Sequence, residues 1–240
     1  MIGVDITPYQ VWAKKTLGYE FGNVDLLVTA LTHRSYVNEH RKSTNEHNER
    51  LEFLGDAVLE LVVTNFLFSN YEEPEGVLTA WRSALVRTES ICEAGEKLGY
   101  ESLMRMSKGE RGGSENARKH IVANAFEALV GAIYLEKGYE EAEKLIKARI
   151  ISKMSSILKA GSWRDPKSYL QELSQRYDEQ TPDYRVLEED GPDHDKKFTV
   201  GVYVKGLEIG QGVGSSKQKA QSMAAEQGVM WYNKGHGQSK

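Results

Sequence analysis

The chain has 240 residues, of which 40% are apolar and 28% charged, and a net charge of −4, values that suit a soluble globular protein of one or two domains. The longest uncharged stretch around the apolar maximum, Leu61 to Tyr71, falls far short of the ~20 residues that span a bilayer, so no membrane partner is expected. The single cysteine, Cys92, excludes an internal disulfide and fits a reducing cytosol, and no CxxC or HExxH pattern supports a zinc site.

Helical spacing dominates to about residue 160. "TPYQVWAKKTLGYEF" and "NVDLLVTALTHRSY" read as short amphipathic helices, and residues 46–69 as one long buried helix. Residues 75–99 read as two helices or one bent helix ending at Gly99. Gly109 to His120, polar and Gly-rich, reads as a mobile loop. "IVANAFEALVGAIYLEKG" is a second, mostly apolar helix, and residues 139–160 read as one amphipathic helix. Trp81, Cys92, Met104 and Met106 are expected as packing residues.

The pattern changes at "AGSWRDPK". A linker over residues 160–165 would separate a domain of residues 1–159 from one of residues 166–234. Asp165 is a natural N-cap with Pro166 at the first helical position. "DYRVLEED", "KKFTVGVYVKG" and "LEIGQGVG" alternate as strands, and "SSKQKAQSMAAEQGVMWY" closes as a helix. The predicted class is an all-helical domain followed by a compact α-β-β-β-α unit, with residues 235–240 as a disordered tail. The N-terminus shows no basic region followed by an apolar run, so no secretory signal is expected and the location is read as cytoplasmic.

In the long buried helix, "HNERLEFLGDAVLELVV", Glu49, Glu52, Asp56 and Glu60 recur at intervals of three, four and four. That spacing stacks them on one face. Like charges so placed repel, and burying them unpaired is costly, so something positive must face them. Arginines or a hard divalent cation would serve. On the second apolar helix, Asn124 and Glu127 share a face. Gly55 and Gly131 lie beside the two acidic faces and would allow close helix approach. If the helices cross there, Glu52, Asp56, Asn124 and Glu127 form an all-oxygen cluster suited to Mg²⁺ or Mn²⁺ rather than zinc. Glu60 is expected to pair with Arg82 or Arg87. His120, one turn before Asn124, is either a surface histidine or a further neighbour of the cluster.

Neither half of the chain is basic. Residues 1–162 hold 20 Lys and Arg against 23 Asp and Glu, and residues 163–240 hold 11 against 12. A nucleic-acid partner would therefore need a local basic patch, and its binding would depend strongly on salt.

"NERLEFLGDAVLE" resembles the signature segment of the ribonuclease III family, bacterial endonucleases that cut double-stranded RNA. "ALTHRSYVNE", "EGVLTAWRSALV" and "ANAFEALVGAIYLEKG" are similar to further family segments, in family order. "DPKSYLQE", "GPDH" and "GSSKQKAQSMAA" resemble a double-stranded-RNA-binding domain. The resemblance implies metal-binding roles for Glu52, Asp56 and Glu127, with Asn124 standing where Asp is common. A Mg²⁺ ion, replaceable by Mn²⁺, would activate water and stabilise the leaving 3′-oxygen, with Asp56 and Glu127 closest to catalysis. No small-molecule cofactor is implied. Products would carry a 5′-phosphate and a 3′-hydroxyl with two-nucleotide 3′ overhangs. Processing of rRNA and mRNA precursors is the implied task. Glu49 and Glu75 match acids at the edge of the catalytic valley, and Phe53 an aromatic that enters the partner subunit of a homodimer.

In the second domain, Gln171 and Glu172 would face one minor groove, His194 the next, and Ser216, Lys217 and Lys219 the phosphates between them. Gln218 and Gln221 occupy commonly basic positions, so the isolated domain is expected to bind weakly. In the Gly109–His120 segment, Arg111, Arg118 and Lys119 either lie against the RNA backbone or belong to a plain flexible loop. The alternative reading is a non-catalytic double-stranded-RNA-binding protein that kept the fold.

Overall fold

The computed structural model describes residues 5–40, 46–161, 163–192 and 196–236. Its contacts divide the chain into two units, Met1–Ala160 and Gly161–Lys240.

The first unit opens with α1 (Thr7–Thr16), α2 (Val24–Ala30) and α3 (Arg34–Glu39). The helix expected over "NVDLLVTALTHRSY" is thus two. The break has a local cause and a distant one. Thr32 Oγ1 donates back to the Val28 carbonyl at 2.6 Å. The backbone at 31–33 is drawn into a short parallel bridge, with Arg105 N donating to Leu31 O and His33 N to Arg105 O, both at 2.8 Å.

Next comes α4 (Glu49–Asn70), the long helix of the acidic stripe. Buried Asn48 fixes its start, its backbone N–H donating to Thr32 O at 2.9 Å. α5 (Glu75–Val86) and α6 (Thr88–Leu98) are separate helices because Arg87 adopts an extended conformation.

The mobile loop expected over Gly109–His120 is not there. α7 (Lys108–Arg111) and α8 (Glu115–Lys137) take up most of it. Two serines explain the difference. Ser107 and Ser114 cap these helices, accepting from Glu110 N and Ala117 N at 3.2 Å. Only residues 112–114 lie between the helices.

The single helix expected over 139–160 is also broken, into α9 (Tyr139–Arg149), a 3₁₀ turn (Ile151–Lys153) and α10 (Met154–Ala160). Ile150 and Ile151 are both buried. Ile150, at φ −110° and ψ −60°, leaves regular helix geometry between the two segments. Lys153 anchors that turn, donating to Ser90 O at 2.6 Å. Around these elements α8 is buried on nearly every side, and α4 packs along it. Cys92, Met104 and Trp81 are buried here.

The second unit begins with α11 (Pro166–Asp178), capped by Asp165, which accepts from Ser168 N at 2.9 Å. β1 (Asp183–Asp190), β2 (Lys197–Val204) and β3 (Leu207–Gly214) form an antiparallel sheet in that order. α12 (Lys217–Trp231) packs on it beside α11. Val200, Val202 and Val204 point inward to Leu170, Leu173, Ala220 and Ala224, as strand alternation requires. A π-type turn, Tyr232–His236, carries the last helix into the expected tail, whose final four residues lie outside the described residues.

Candidate functional site

α4 and α8 cross with their backbones in direct contact. A Cβ on Gly55 would overlap the carbonyl oxygen of Glu127 and stand 2.9 Å from Gly131 N. A Cβ on Gly131 would lie 3.1 Å from Gly55 N and overlap the Leu51 carbonyl oxygen. With backbones touching, polar side chains that flank the crossing come within electrostatic reach of one another. These are Glu52 and Asp56 from α4, and Asn124 and Glu127 from α8.

Their electrostatics show the crowding. Burial pushes the Glu127 carboxyl up to about 7, with Asp56 and then Glu52 adding to the effect. Burial also raises Glu52, and Glu49 adds to it, while Asn124 turns its amide toward Glu52 and opposes the rise. Among the described residues no Lys or Arg pairs with Glu52, Asp56 or Glu127. Nor do any three Asp, Glu, His or Cys side chains stand in a geometry that could hold a metal ion. Helix packing brings these acids within electrostatic reach of one another. The donor set is all oxygen and anionic, with no counter-charge paired to it among the described residues, which is the chemistry a hard divalent cation answers.

The other acids divide. Glu49 pairs with Arg34 at 3.2 Å and approaches His47 at 3.7 Å. It lines a cleft of about 900 Å³ with Leu26, Leu54, Leu135 and Phe53. Glu60 pairs with Arg82 at 3.0 Å, the structural partnership expected for it. Glu75, at the start of α5, lines a second cleft of about 500 Å³ with Phe68 and Arg82. Phe68 stands twelve residues beyond Asp56, roughly 18 Å along α4. Within one chain, Glu75 is therefore not brought to the acidic crossing. His120 is exposed on α8.

Phe53 is 82% exposed, and Leu61 and Phe68 on the same face of α4 are 57% and 79% exposed. The three cations weighed as backbone contacts or loop residues already have partners. Arg111 donates to Met104 O at 2.9 Å, Arg118 pairs with Glu101 at 2.6 Å, and Lys119 with Glu115 at 2.8 Å.

On the second unit, Gln171 and Glu172 are exposed on α11. Ser216 caps α12, accepting from Lys219 N at 3.2 Å, and Lys219 is exposed. Lys217 pairs with Glu189 at 2.6 Å, a partner that the reading of "SSKQK" by itself did not supply. Gln221 accepts from Lys167 at 2.8 Å, so this position ties α12 to α11. His194 lies outside the described residues.

An all-helical unit with carboxylates gathered at a glycine-packed helix crossing, followed by an α-β-β-β-α unit, is the architecture of a nuclease domain joined to a double-stranded-RNA-binding domain. Comparison with known proteins agrees. Residues 23–154 match the Ribonuclease-III-like family model, and residues 166–231 match the double-stranded RNA binding motif. The chain is 41% identical over 218 residues to Ribonuclease 3 of Pelotomaculum thermopropionicum, covering 90% of each. It is 43% identical over 217 residues to Ribonuclease 3 of Bdellovibrio bacteriovorus, covering 89% of this chain and 92% of that one. Among solved structures, the nuclease domain of ribonuclease III from Campylobacter jejuni matches with a TM-score of 0.50 and 38% identity. The match covers 58% of this chain and 97% of that one, and that structure concerns flexibility in a region involved in dimer formation. The chain belongs to the ribonuclease III family and is an endoribonuclease of double-stranded RNA.

Proposed function

We propose that the chain cleaves double-stranded RNA by Mg²⁺-dependent hydrolysis, with Glu52, Asp56, Asn124 and Glu127 as the site that holds the ion. The observation that carries this is the acidic crossing of α4 and α8, which no Lys or Arg among the described residues neutralises. Bound Mg²⁺, or Mn²⁺ in its place, supplies Lewis-acid stabilisation of charge on phosphate and lowers the pKa of water. Asp56 and Glu127 orient the reacting groups from the two helices. Glu52, beside Asn124, anchors the α4 side. The expected products carry 5′-phosphate and 3′-hydroxyl ends with two-nucleotide 3′ overhangs. The cellular role we assign is processing of rRNA and mRNA precursors in the cytoplasm. Gln171, Glu172, His194, Ser216, Lys217 and Lys219 would hold the duplex by shape and phosphate charge.

The working unit is a homodimer. The exposed side chains of Phe53, Leu61 and Phe68 are spread over about 22 Å of α4, and large apolar groups so exposed favour burial against a partner. Two copies of α4 packed antiparallel about an axis near Leu61 would set Phe53 of each against the Phe68 end of α4 in the other copy. They would also bring Glu75 of one subunit near Glu49 of the other, which explains why these two acids stand apart within one chain.

Incubation of a long RNA duplex with the protein in Mg²⁺, in Ca²⁺ and in EDTA tests the function. Cleavage in Mg²⁺ alone is expected. Binding with no cleavage in all three conditions, Mg²⁺ included, would instead favour the non-catalytic alternative.

Asn124 ligates through a neutral amide oxygen where a carboxylate would bring a further negative charge. Asn124→Asp is therefore expected to lower the Mg²⁺ concentration at half-maximal cleavage by about tenfold, roughly the worth of one close charge interaction in a half-buried site. A Mg²⁺ titration that superposes on that of the unsubstituted chain would remove Asn124 from the site.

A further inference from the structure

The RNA-binding unit carries its own anion at a place where the RNA backbone should bind. Glu189 on β1 is the cross-strand partner of Phe198 on β2, and Phe198 is in turn the partner of Gly214 on β3. Directly opposed residues project on one face of a sheet. Gly214 lets the first turn of α12 settle on that row, since a Cβ there would stand 2.6 Å from Ala220 N and 2.8 Å from Lys219 Cβ. The result is a small charged assembly around one ring. Lys217 Nζ lies 5.4 Å from the Phe198 centroid and Lys196 Nζ 5.8 Å from it. Both lysines converge on Glu189, Lys217 at 2.6 Å and Lys196 at 3.4 Å.

A carboxylate held by two ammonium groups over an aromatic edge presents the charge pattern that a phosphate oxygen would present there. We propose that Glu189 is a built-in competitor of the RNA backbone: it occupies Lys196 and Lys217 in the free protein and sets duplex affinity below what those lysines alone would give. This inference rests on reading Lys217 as a phosphate contact. Exposed ion pairs are weak, so the competitor is displaced readily, and it lowers affinity without closing the site. It also lowers the number of counterions that the RNA releases, because one partner of each lysine is already in the protein.

The test is fluorescence anisotropy of a 30-base-pair RNA with the full chain in EDTA, across a salt series. Glu189→Gln is expected to tighten binding about 3- to 10-fold near 0.15 M salt and to steepen the log–log salt dependence by about one. Lys217→Gln is expected to weaken binding by about as much, and to remove most of the gain when combined with Glu189→Gln. Glu226→Gln, which removes an exposed acid on α12, is expected to shift affinity less than twofold.

If Lys217→Gln weakens binding while Glu189→Gln leaves it unchanged or weakens it, the competitor is overturned and the phosphate contact stands. If Lys217→Gln has no effect, the contact falls and the competitor falls with it. If Glu226→Gln tightens binding as much as Glu189→Gln does, overall charge and not the ion pair sets the affinity, and the proposal is overturned.

Discussion

Glu127→Gln is expected to lower duplex cleavage in saturating Mg²⁺ by about 10²- to 10³-fold, the usual consequence of removing one electrostatic element of a transition-state site. Binding to the same duplex in EDTA should change less than twofold, because the groups proposed to hold the duplex lie on the other unit. The substitution keeps size and hydrogen-bonding capacity and removes only the charge. A rate within threefold of the unsubstituted chain would dismiss Glu127 as a ligand.

The same variant carries a signature that needs no substrate. In the metal-free chain the Glu127 carboxyl is pushed up to about 7, chiefly by burial and further by Asp56 and Glu52. Between its unfolded value of 4.5 and that raised value, the folded chain keeps a proton that the unfolded chain has lost. Where the folded state binds more protons, stability falls as pH rises. Thermal unfolding in EDTA should therefore show a lower midpoint at pH 8 than at pH 5.5. Part of that difference should vanish in Glu127→Gln, which has nothing to ionise. An identical pH slope in both proteins would mean that the carboxyl ionises in the folded chain as it does in the unfolded one.

Gly55→Ala is the second large effect. On helix propensity alone the change is favourable by about 0.5–1 kcal/mol. At this position the added methyl would overlap the Glu127 carbonyl oxygen and crowd Gly131 N at 2.9 Å. The obstacle is backbone on both sides, so no rotamer change relieves it. Overpacking of a rigid contact costs about 3 kcal/mol. For a chain of this size that is a fall of about 6–12 °C in melting temperature. The helices must also part, which spreads Glu52 and Asp56 from Asn124 and Glu127, so Mg²⁺-dependent cleavage should fall with stability. Gly76→Ala is the contrast. Gly76 lies in α5 with nothing within 4 Å of its added Cβ, and the same change there should be neutral or slightly stabilising. Equal melting temperatures for the two variants would show that α4 and α8 can separate at little cost.

The acid spacing on α4 and α8, the paired glycines and the alternation of the three strands were all legible in the sequence. Each is a periodic or local pattern, and backbone geometry converts such patterns into faces without reference to the rest of the chain. The Asp165 cap and the ion pair of Glu60 belong with them. Where the reading failed, it failed at chain direction. Thr32, Ile150 and Ile151 break expected helices because a distant strand segment or the core claims them. Ser107 and Ser114 turn an expected loop into helix.

Sequence by itself determined which side chains share a face, because that follows from a fixed rise and twist per residue. Only the tertiary structure decided which charges keep a counter-charge: Glu49 finds Arg34 and Lys217 finds Glu189, while among the described residues Glu127 faces the acids Asp56 and Glu52. Such pairing depends on distances between segments far apart in the chain. Periodicity carries no information about those distances, and close packing fixes them.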